Sequence, residues 1–462
     1  MDIPLLSFGL KMLVFFGYHS TDFEVHRYWM SLTTSLPVDK WYFDETSIWT
    51  LDYPPLFAYF EYLLASIAMF LQFVFSKFNI EAIDLHMLSL SNLGYASKST
   101  VFYMRMSVLC TEYIVLGYAV YKYAFTVKNP RLLYISFFLH PGLFLIDHVH
   151  FQYNGFLYGI LLLSCYYIKI NNLIAGGALF LMLCLLKHIY LYIAVGYFVY
   201  YLQLFKKPKQ LISLIFIFAL ILVGSFYPFR AQLPQLLSRL FPFKRGLVHA
   251  LWAPNFWALY IFADRILSKV FKISVPSFTR GIVGDTEFAI LPAITTSMTI
   301  TITLIFYSYF TYKFLKKYDY SAFVVYLQQL AMTSFLFGWH VHEKALLMPA
   351  LLNLTEFNPN RMSFILQLTS ITSQLPLIYQ EKDWFLHLIV IIVVLKMSDL
   401  YKSITNQQGY KKLNLLCWSQ AILILASLIL KQQDRYPFLH VMLISVINAM
   451  LNMAVFVDML VI

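Results

Sequence analysis

Fifteen apolar runs, beginning near residues 2, 55, 100, 132, 155, 172, 190, 210, 287, 319, 345, 361, 384, 412 and 436, divide this chain from end to end. A bilayer needs roughly 20 apolar residues per helical crossing, and a soluble core of ordinary size cannot conceal so many such runs. Of the 462 residues, 60 % are hydrophobic and 12 % charged, so the expected class is an all-α polytopic membrane protein. Cys110, Cys165, Cys184 and Cys417 all lie in apolar runs, where a thiol behaves as a small hydrophobe; neither a disulfide nor a cysteine metal site is expected. The first run has no small-residue cleavage site before the polar stretch Tyr18 to Asp22 and reads as a retained span. A net charge of +11 falls on short connections between apolar runs, which argues for membrane topology and against nucleic acid as a partner.

The basic residues order the crossings. If all fifteen runs crossed, Lys122, Lys128 and Arg131 would share a side with the acidic segment 22–52. Laying Pro55 to Phe78 in the interface, as an amphipathic re-entrant or juxtamembrane helix, removes the conflict and leaves about 14 transmembrane helices. Alternate loops then carry Lys122/Lys128/Arg131, Lys169, Lys206/Lys207/Lys209, Lys313/Lys316/Lys317, Arg361 and Lys402/Lys411/Lys412, which marks them as cytoplasmic. The expected organisation is one integral membrane domain, 1–462, with a first lumenal loop at 18–99, a long lumenal loop at 230–286 and a C-terminal transmembrane bundle at 345–462. Several spans, such as 132–147, 155–169 and 345–354, fall short of a full crossing and require half-exposed helices or a thinned membrane. Nearly every cluster of His, Asp, Glu and Lys lands on the non-cytoplasmic side. That describes a catalytic or binding face at one surface, where a transporter concentrates polar groups at the midplane.

In Asp22-Phe-Glu24-Val-His26-Arg27 a helix places Asp22 and His26 on one face, with Glu24 and Arg27 paired at i, i+3. The structural alternative is a solvated amphipathic helix with an Asp cap, and Asp52-Tyr53-Pro54-Pro55 offers the same pair of readings. Asp147-His148-Val-His150-Phe-Gln152-Tyr153-Asn154 and Trp339-His340-Val-His342-Glu343-Lys344 are dense in hydrogen-bonding groups. His-x-His beside a carboxylate is a weak metal signal without a defined further ligand, and neither string has the His-Glu-x-x-His spacing. Lys187-His188 joins two spans on the same face and is either functional or a snorkelling lysine with interfacial tyrosines. In the long loop, Arg230, Arg239, Lys244 and Arg245 sit beside aromatics on the side where the topology rule disfavours basic clusters. They call for an anionic partner, and a phosphate suits guanidinium and ammonium donors. A phosphate-binding loop, a dinucleotide fingerprint and a Gly-x-Ser-x-Gly elbow are absent from the sequence.

The strings His-Phe-Gln-Tyr-Asn at 150–154, Pro-Phe-Lys-Arg-Gly at 242–246 and His-Glu-Lys at 342–344, in this order, resemble the eukaryotic dolichyl-phosphate-glucose-dependent α-1,3-glucosyltransferases of the endoplasmic reticulum, glycosyltransferase family 57. The resemblance runs from about residue 18 to 345. Lys187-His188-Ile-Tyr190, Leu247 to Trp257 and Trp339-His-Val-His342 look like the member that glucosylates the monoglucosylated lipid-linked oligosaccharide; the member acting on the unglucosylated chain is the near alternative. A lipid-linked oligosaccharide transporter is the more remote one. The resemblance implies a type C glycosyltransferase fold, a lumenal active site in the endoplasmic reticulum membrane, and Asp22 as catalytic base. The implied partners are a dolichyl phosphate glucose donor, a dolichyl-diphosphate-linked oligosaccharide acceptor and membrane lipids.

Chemistry supports that division of labour. A β-linked donor and an α-linked product require one inversion, for which a single displacement with one general base suffices. The lipid phosphate that leaves needs its developing charge stabilised, with Lys344, His342 and the basic loop as candidates. A phosphomonoester can be handled by lysine, arginine and imidazole, so no metal and no other cofactor is expected. The substrate-binding candidates are Glu24, His26, Arg27, Asp52, Tyr53, His148, His150, Gln152, Tyr153, Asn154, Lys187, His188, Lys244, Arg245, Trp257, His340, His342, Glu343 and Lys344.

Overall fold

The computed structural model describes residues 2–241, 245–249, 252–273, 288–356, 360–378, 384–405, 410–430 and 438–461. Helices begin within a few residues of fourteen of the fifteen apolar runs. The exception is the run at 287, whose helix, Thr296–Lys316, starts nine residues later. The preceding segment is held open by Asp264, whose carboxylate accepts backbone N–H bonds from Ala289, Ile290 and Leu291, each at 2.9 Å. Burial works against that carboxylate, but the three donors hold its pKa below the usual range. Among the described residues the fold is all-helical apart from one isolated parallel bridge, Val248 to Val341.

Among the described residues, seven helices are long and apolar enough, by length and composition, to cross a membrane: Pro55–Ser76, Pro130–Phe151, His188–Lys206, Pro208–Leu240, Tyr320–Phe337, Lys411–Leu430 and Leu439–Val461. The helix expected to lie in the interface, Pro55–Ser76, is therefore also of spanning length at 22 residues. Along Pro208–Phe226 the residues Ile212, Ile215, Phe216, Leu220 and Val223 are exposed, as a helix bathed in lipid requires.

The chain forms two compact units, Met1–Pro242 and Phe243–Ile462, with the boundary inside the segment expected as the long lumenal loop. In the first unit, Thr21–Ser35 starts at the Ser20 cap, whose hydroxyl accepts from the Asp22 N–H at 3.1 Å. It stops before Pro37, which forces Leu36 into extended backbone. Pro54 and Pro55 open Pro55–Ser76, as their fixed φ and missing N–H favour. Its buried stripe, Phe57, Glu61, Leu64, Ala65 and Ala68, faces Thr21–Ser35.

Two stretches widen to π-helix, Glu112–Leu116 and Phe144–Phe151. Such bulges collect at functional sites, and these two carry Glu112, Asp147, His148 and His150. Helix Asn154–Lys169 lies so close to the first bulge that a Cβ on Gly159 would sit 2.5 Å from the Leu116 nitrogen. In the second unit, Tyr320–Phe337, Leu347–Thr355, Arg361–Thr372 and Leu439–Val461 carry long buried faces, joined by hydroxyl-to-amide bonds such as Thr369 to Asn452 at 2.7 Å and Thr372 to Asn448 at 2.9 Å.

Candidate active site

Asp22 occupies the first turn of Thr21–Ser35, where backbone N–H groups and the helix dipole favour a carboxylate. The cap is Ser20, so Asp22 is not spent on capping. For Asp52 the helix cap is likewise another residue, Pro54. The Asp22 side chain is 23 % exposed, and its Oδ2 accepts a short hydrogen bond from Gln152 Nε2 with His150 Nε2 at 3.3 Å. Sequence spacing put His26 on the same face; instead His26 turns inward and its Nδ1 meets Glu61 Oε1 at 2.6 Å. The reason is energetic: a fully buried carboxylate in an apolar helix requires a partner, and His26 is the one within reach.

A polarised chain runs on from Gln152. Asn154 Nδ2 donates to Gln152 Oε1 and to Asp147 Oδ1, both at 2.9 Å, and Asn154 Oδ1 accepts from Lys187 Nζ at 3.2 Å. Each amide orientation is dictated by its neighbour, so Lys187, Asn154, Gln152 and Asp22 act as one oriented series. Tyr53 lies against it, with Lys187 Nζ 5.4 Å from its ring centre. Burial, then the charges of Asp52 and Asp22, push the Tyr53 phenol far above its ordinary pKa. His188 stands edge-on to Tyr53 and to Phe241.

Phe151, between His150 and Gln152, has φ +85°, a left-handed conformation that costs a bulky residue on the order of 1–3 kcal/mol. That bend lets both neighbours address one carboxylate. Ser20 fastens the bend to the start of the Asp22 helix, its hydroxyl donating to the His150 carbonyl at 2.6 Å and its N–H at 3.0 Å.

Four candidates on these elements are taken up by partners within the protein. Arg27 is fully buried, forking onto Glu24 at 2.6 Å through two nitrogens and donating to the Met87 carbonyl at 2.5 Å, so the expected i, i+3 pair forms as a structural clasp. Glu24 is the other half of that clasp. His148 is bound to Glu112 at 2.6 Å, and Glu112 also holds Lys11 at 2.7 Å. Tyr153 is buried with its hydroxyl on Ser107 at 2.8 Å. Sequence reasoning passed over Glu61, Glu112, Lys11 and Arg105. Each is an ionisable residue inside an apolar run, a signal that burial with a partner explains.

In the second unit, segments 245–249 and 339–343 run side by side. Trp339 Nε1 donates to the Arg245 carbonyl at 2.9 Å, the His340 N–H to the Leu247 carbonyl at 2.9 Å, and His340 Nδ1 to the Gly246 carbonyl at 2.7 Å. The pairing gathers His249, His340 and His342, with the His249 and His342 rings 4.2 Å apart. His340 has φ +53°, and burial, then the Arg245 charge, hold its pKa down against the Gly246 bond. Lys344 follows in the short 3-10 turn Glu343–Leu346, whose Glu343 is buried. Trp257, expected among the substrate-binding residues, is core: it is 1 % exposed, with its indole N–H on the Gly338 carbonyl at 3.0 Å. Lys244 lies outside the described residues.

His249, His342 and Glu343 could together approach a metal, with ligand atoms within 4.8 Å of one another. A tetrahedron with bonds of about 2.0 Å has edges of about 3.3 Å and needs a further ligand beyond these three. Imidazole, lysine and arginine donors at this density suit a phosphate equally.

The ALG6, ALG8 glycosyltransferase family model matches residues 7–459. A Drosophila melanogaster protein named probable dolichyl pyrophosphate Glc1Man9GlcNAc2 alpha-1,3-glucosyltransferase is 38 % identical over an alignment of 480 residues, covering 96 % of this chain and 90 % of the relative. Proteins of the same name, without the qualifier, are 44 % identical in Gibberella zeae, covering 74 % of this chain and 71 % of the relative, and 43 % identical in Schizosaccharomyces pombe, covering 75 % and 72 %. This chain belongs to the ALG6, ALG8 glycosyltransferase family. It is a multi-pass membrane enzyme, a hexosyltransferase, as the motifs at 150–154, 242–246 and 342–344 led one to expect.

Proposed function

We propose that this enzyme transfers glucose from dolichyl β-D-glucosyl phosphate, in α-1,3 linkage, to the terminal glucose of the monoglucosylated, nine-mannose dolichyl-diphosphate-linked oligosaccharide. This is the second glucosylation step of N-glycan precursor assembly, carried out on the lumenal face of the endoplasmic reticulum membrane. The names of the relatives support the acceptor, and the observation that carries the chemistry is the Asp22 carboxylate, partly exposed at a helix N-terminus and steadied by His150 and Gln152.

Asp22 takes the proton of the acceptor 3-hydroxyl as that oxygen attacks the anomeric carbon. The bond from the anomeric carbon to the phosphate oxygen breaks on the opposite face, and its electron pair leaves with the dolichyl phosphate. One displacement turns the β donor into an α product, so no covalent glucosyl enzyme forms. Charge gathering on the phosphate is met by cationic and imidazole donors, for which Arg245, His249, His340, His342 and Lys344 have the right chemistry. Lys187, His188, Asp52 and Tyr53 serve acceptor placement. Transfer requires no metal in this scheme, since the leaving group is a monoester.

The test supplies purified enzyme with radiolabelled dolichyl phosphate glucose and either the monoglucosylated or the unglucosylated acceptor, with and without EDTA. Preferred transfer to the monoglucosylated chain, insensitive to EDTA, is the expected outcome. Preference for the unglucosylated chain assigns the first step instead, and loss of activity in EDTA removes metal independence.

A further inference from the structure

We infer that Arg105, fully buried in helix Lys98–Thr111, is a positioning residue for the transfer: it fixes the Phe151 bend that delivers His150 and Gln152 to Asp22. The inference rests on Asp22 being the base.

The guanidinium reaches two separate pieces of backbone. Its Nη1 donates to the His148 carbonyl at 2.7 Å; its Nη2 donates to the Val149 carbonyl at 3.0 Å and to the Tyr18 carbonyl at 2.7 Å. His148 and Val149 lie in the last turn of the π-helical stretch, where carbonyls lose their helical partners and would otherwise be buried without donors. Tyr18 precedes the Ser20 cap by two residues, so the same side chain grips the strand of chain leading into the base. The fork also lies 5.5 Å from the centre of the Phe151 ring, which packs on Phe23 and Tyr153. The left-handed bend is thus held from both sides: Arg105 satisfies the carbonyls before it and Ser20 bonds the His150 carbonyl at it.

A planar fork serves these carbonyls from two separate nitrogens, which the single nitrogen of an ammonium does not. An ammonium at the same place keeps the charge but not the geometry. Release of the bend would leave Asp22 intact and substrates bound, while His150 and Gln152 drift from the carboxylate. The loss should therefore fall on kcat.

The experiment measures kcat and both KM values for purified Arg105→Lys, with Phe151→Val and Phe151→Asn as a matched pair. Both Phe151 variants lose the ring, but asparagine accepts left-handed backbone and valine does not. Because a displacement near 1 Å can cost about 100-fold, Arg105→Lys and Phe151→Val should each lower kcat about 30-fold with KM changed less than about twofold. Phe151→Asn should keep about tenfold more kcat than Phe151→Val. An Arg105→Lys enzyme with wild-type kcat, a loss confined to KM, or equal kcat for the two Phe151 variants overturns the inference. If Arg105→Lys folds poorly, the Phe151 pair decides alone. Full activity of Asp22→Asn would remove the base assignment itself, a result separable from any of these.

Discussion

The first unit holds its carboxylate with side chains from segments far apart in sequence, whereas the second gathers its imidazoles by pairing two stretches of loop backbone. Around Asp22, the partners come from residue 20, residues 150–152 and, through Asn154, residue 187. Around His342, the holding bonds are those of Trp339 and His340 to the carbonyls of Arg245, Gly246 and Leu247. A base must meet one hydroxyl in one direction, which repays a rigid oriented series. A spreading phosphate charge can be met by several donors, each of which need only be near. The difference predicts sharp losses from single changes in the first unit and graded ones in the second.

The largest effect should come from Asp22→Asn, which removes the proposed proton acceptor and should lower kcat about 1,000-fold with acceptor KM little changed. Anything less than tenfold would dissolve the contrast, because the rigid unit would then be holding an inessential group. His342→Ala should cost about 100-fold, the scale of one lost stabilising donor, and Lys344→Met about tenfold, since neighbouring donors remain. Equal losses of the Asp22→Asn size in both would show the second cluster to be as exacting as the first. Glu61→Gln weakens the hydrogen bond to His26, and should lower thermal stability with a kcat loss of about tenfold.

The smallest expected effect concerns acid. His340 resists protonation in the folded protein, so below its unfolded pKa of about 6.5 the unfolded chain binds more protons than the native one. Stability should therefore fall as pH drops from 7 toward 5, and His340→Gln should flatten that slope in thermal melts. An unchanged slope would mean that the second unit does not hold His340 away from its charged state.

Much of this was legible in the chain. The apolar runs gave the helices, Pro54-Pro55 marked one start, and the Glu24 to Arg27 spacing predicted a real ion pair, while the cap of the Asp22 helix proved to be Ser20 and not an aspartate. Asp22, Gln152, Asn154 and Lys187 were all among the candidates, though nothing local said that they form a series, because their contacts span 130 and 33 residues. His26 misled because helical spacing reports which residues share a face and not which side chain across the interface needs a partner. Trp257 misled because an aromatic beside a basic loop looks the same in sequence whether it faces substrate or core. The Phe151 bend left no trace, since phenylalanine gives no warning of left-handed backbone.

The widened turn over Phe144–Phe151 also governs how this enzyme can change length. A π-helical stretch accommodates an extra residue relative to ordinary helix, and each residue of an α-helix rotates the next by about 100°. Deleting a single residue between Phe144 and Val149 would tighten the stretch to ordinary helix and swing His150 and Gln152 away from Asp22 by that angle, even if every hydrophobic contact reformed. Apolar exchanges there should be tolerated while one-codon deletions abolish transfer, so the segment is strict in count and lenient in composition.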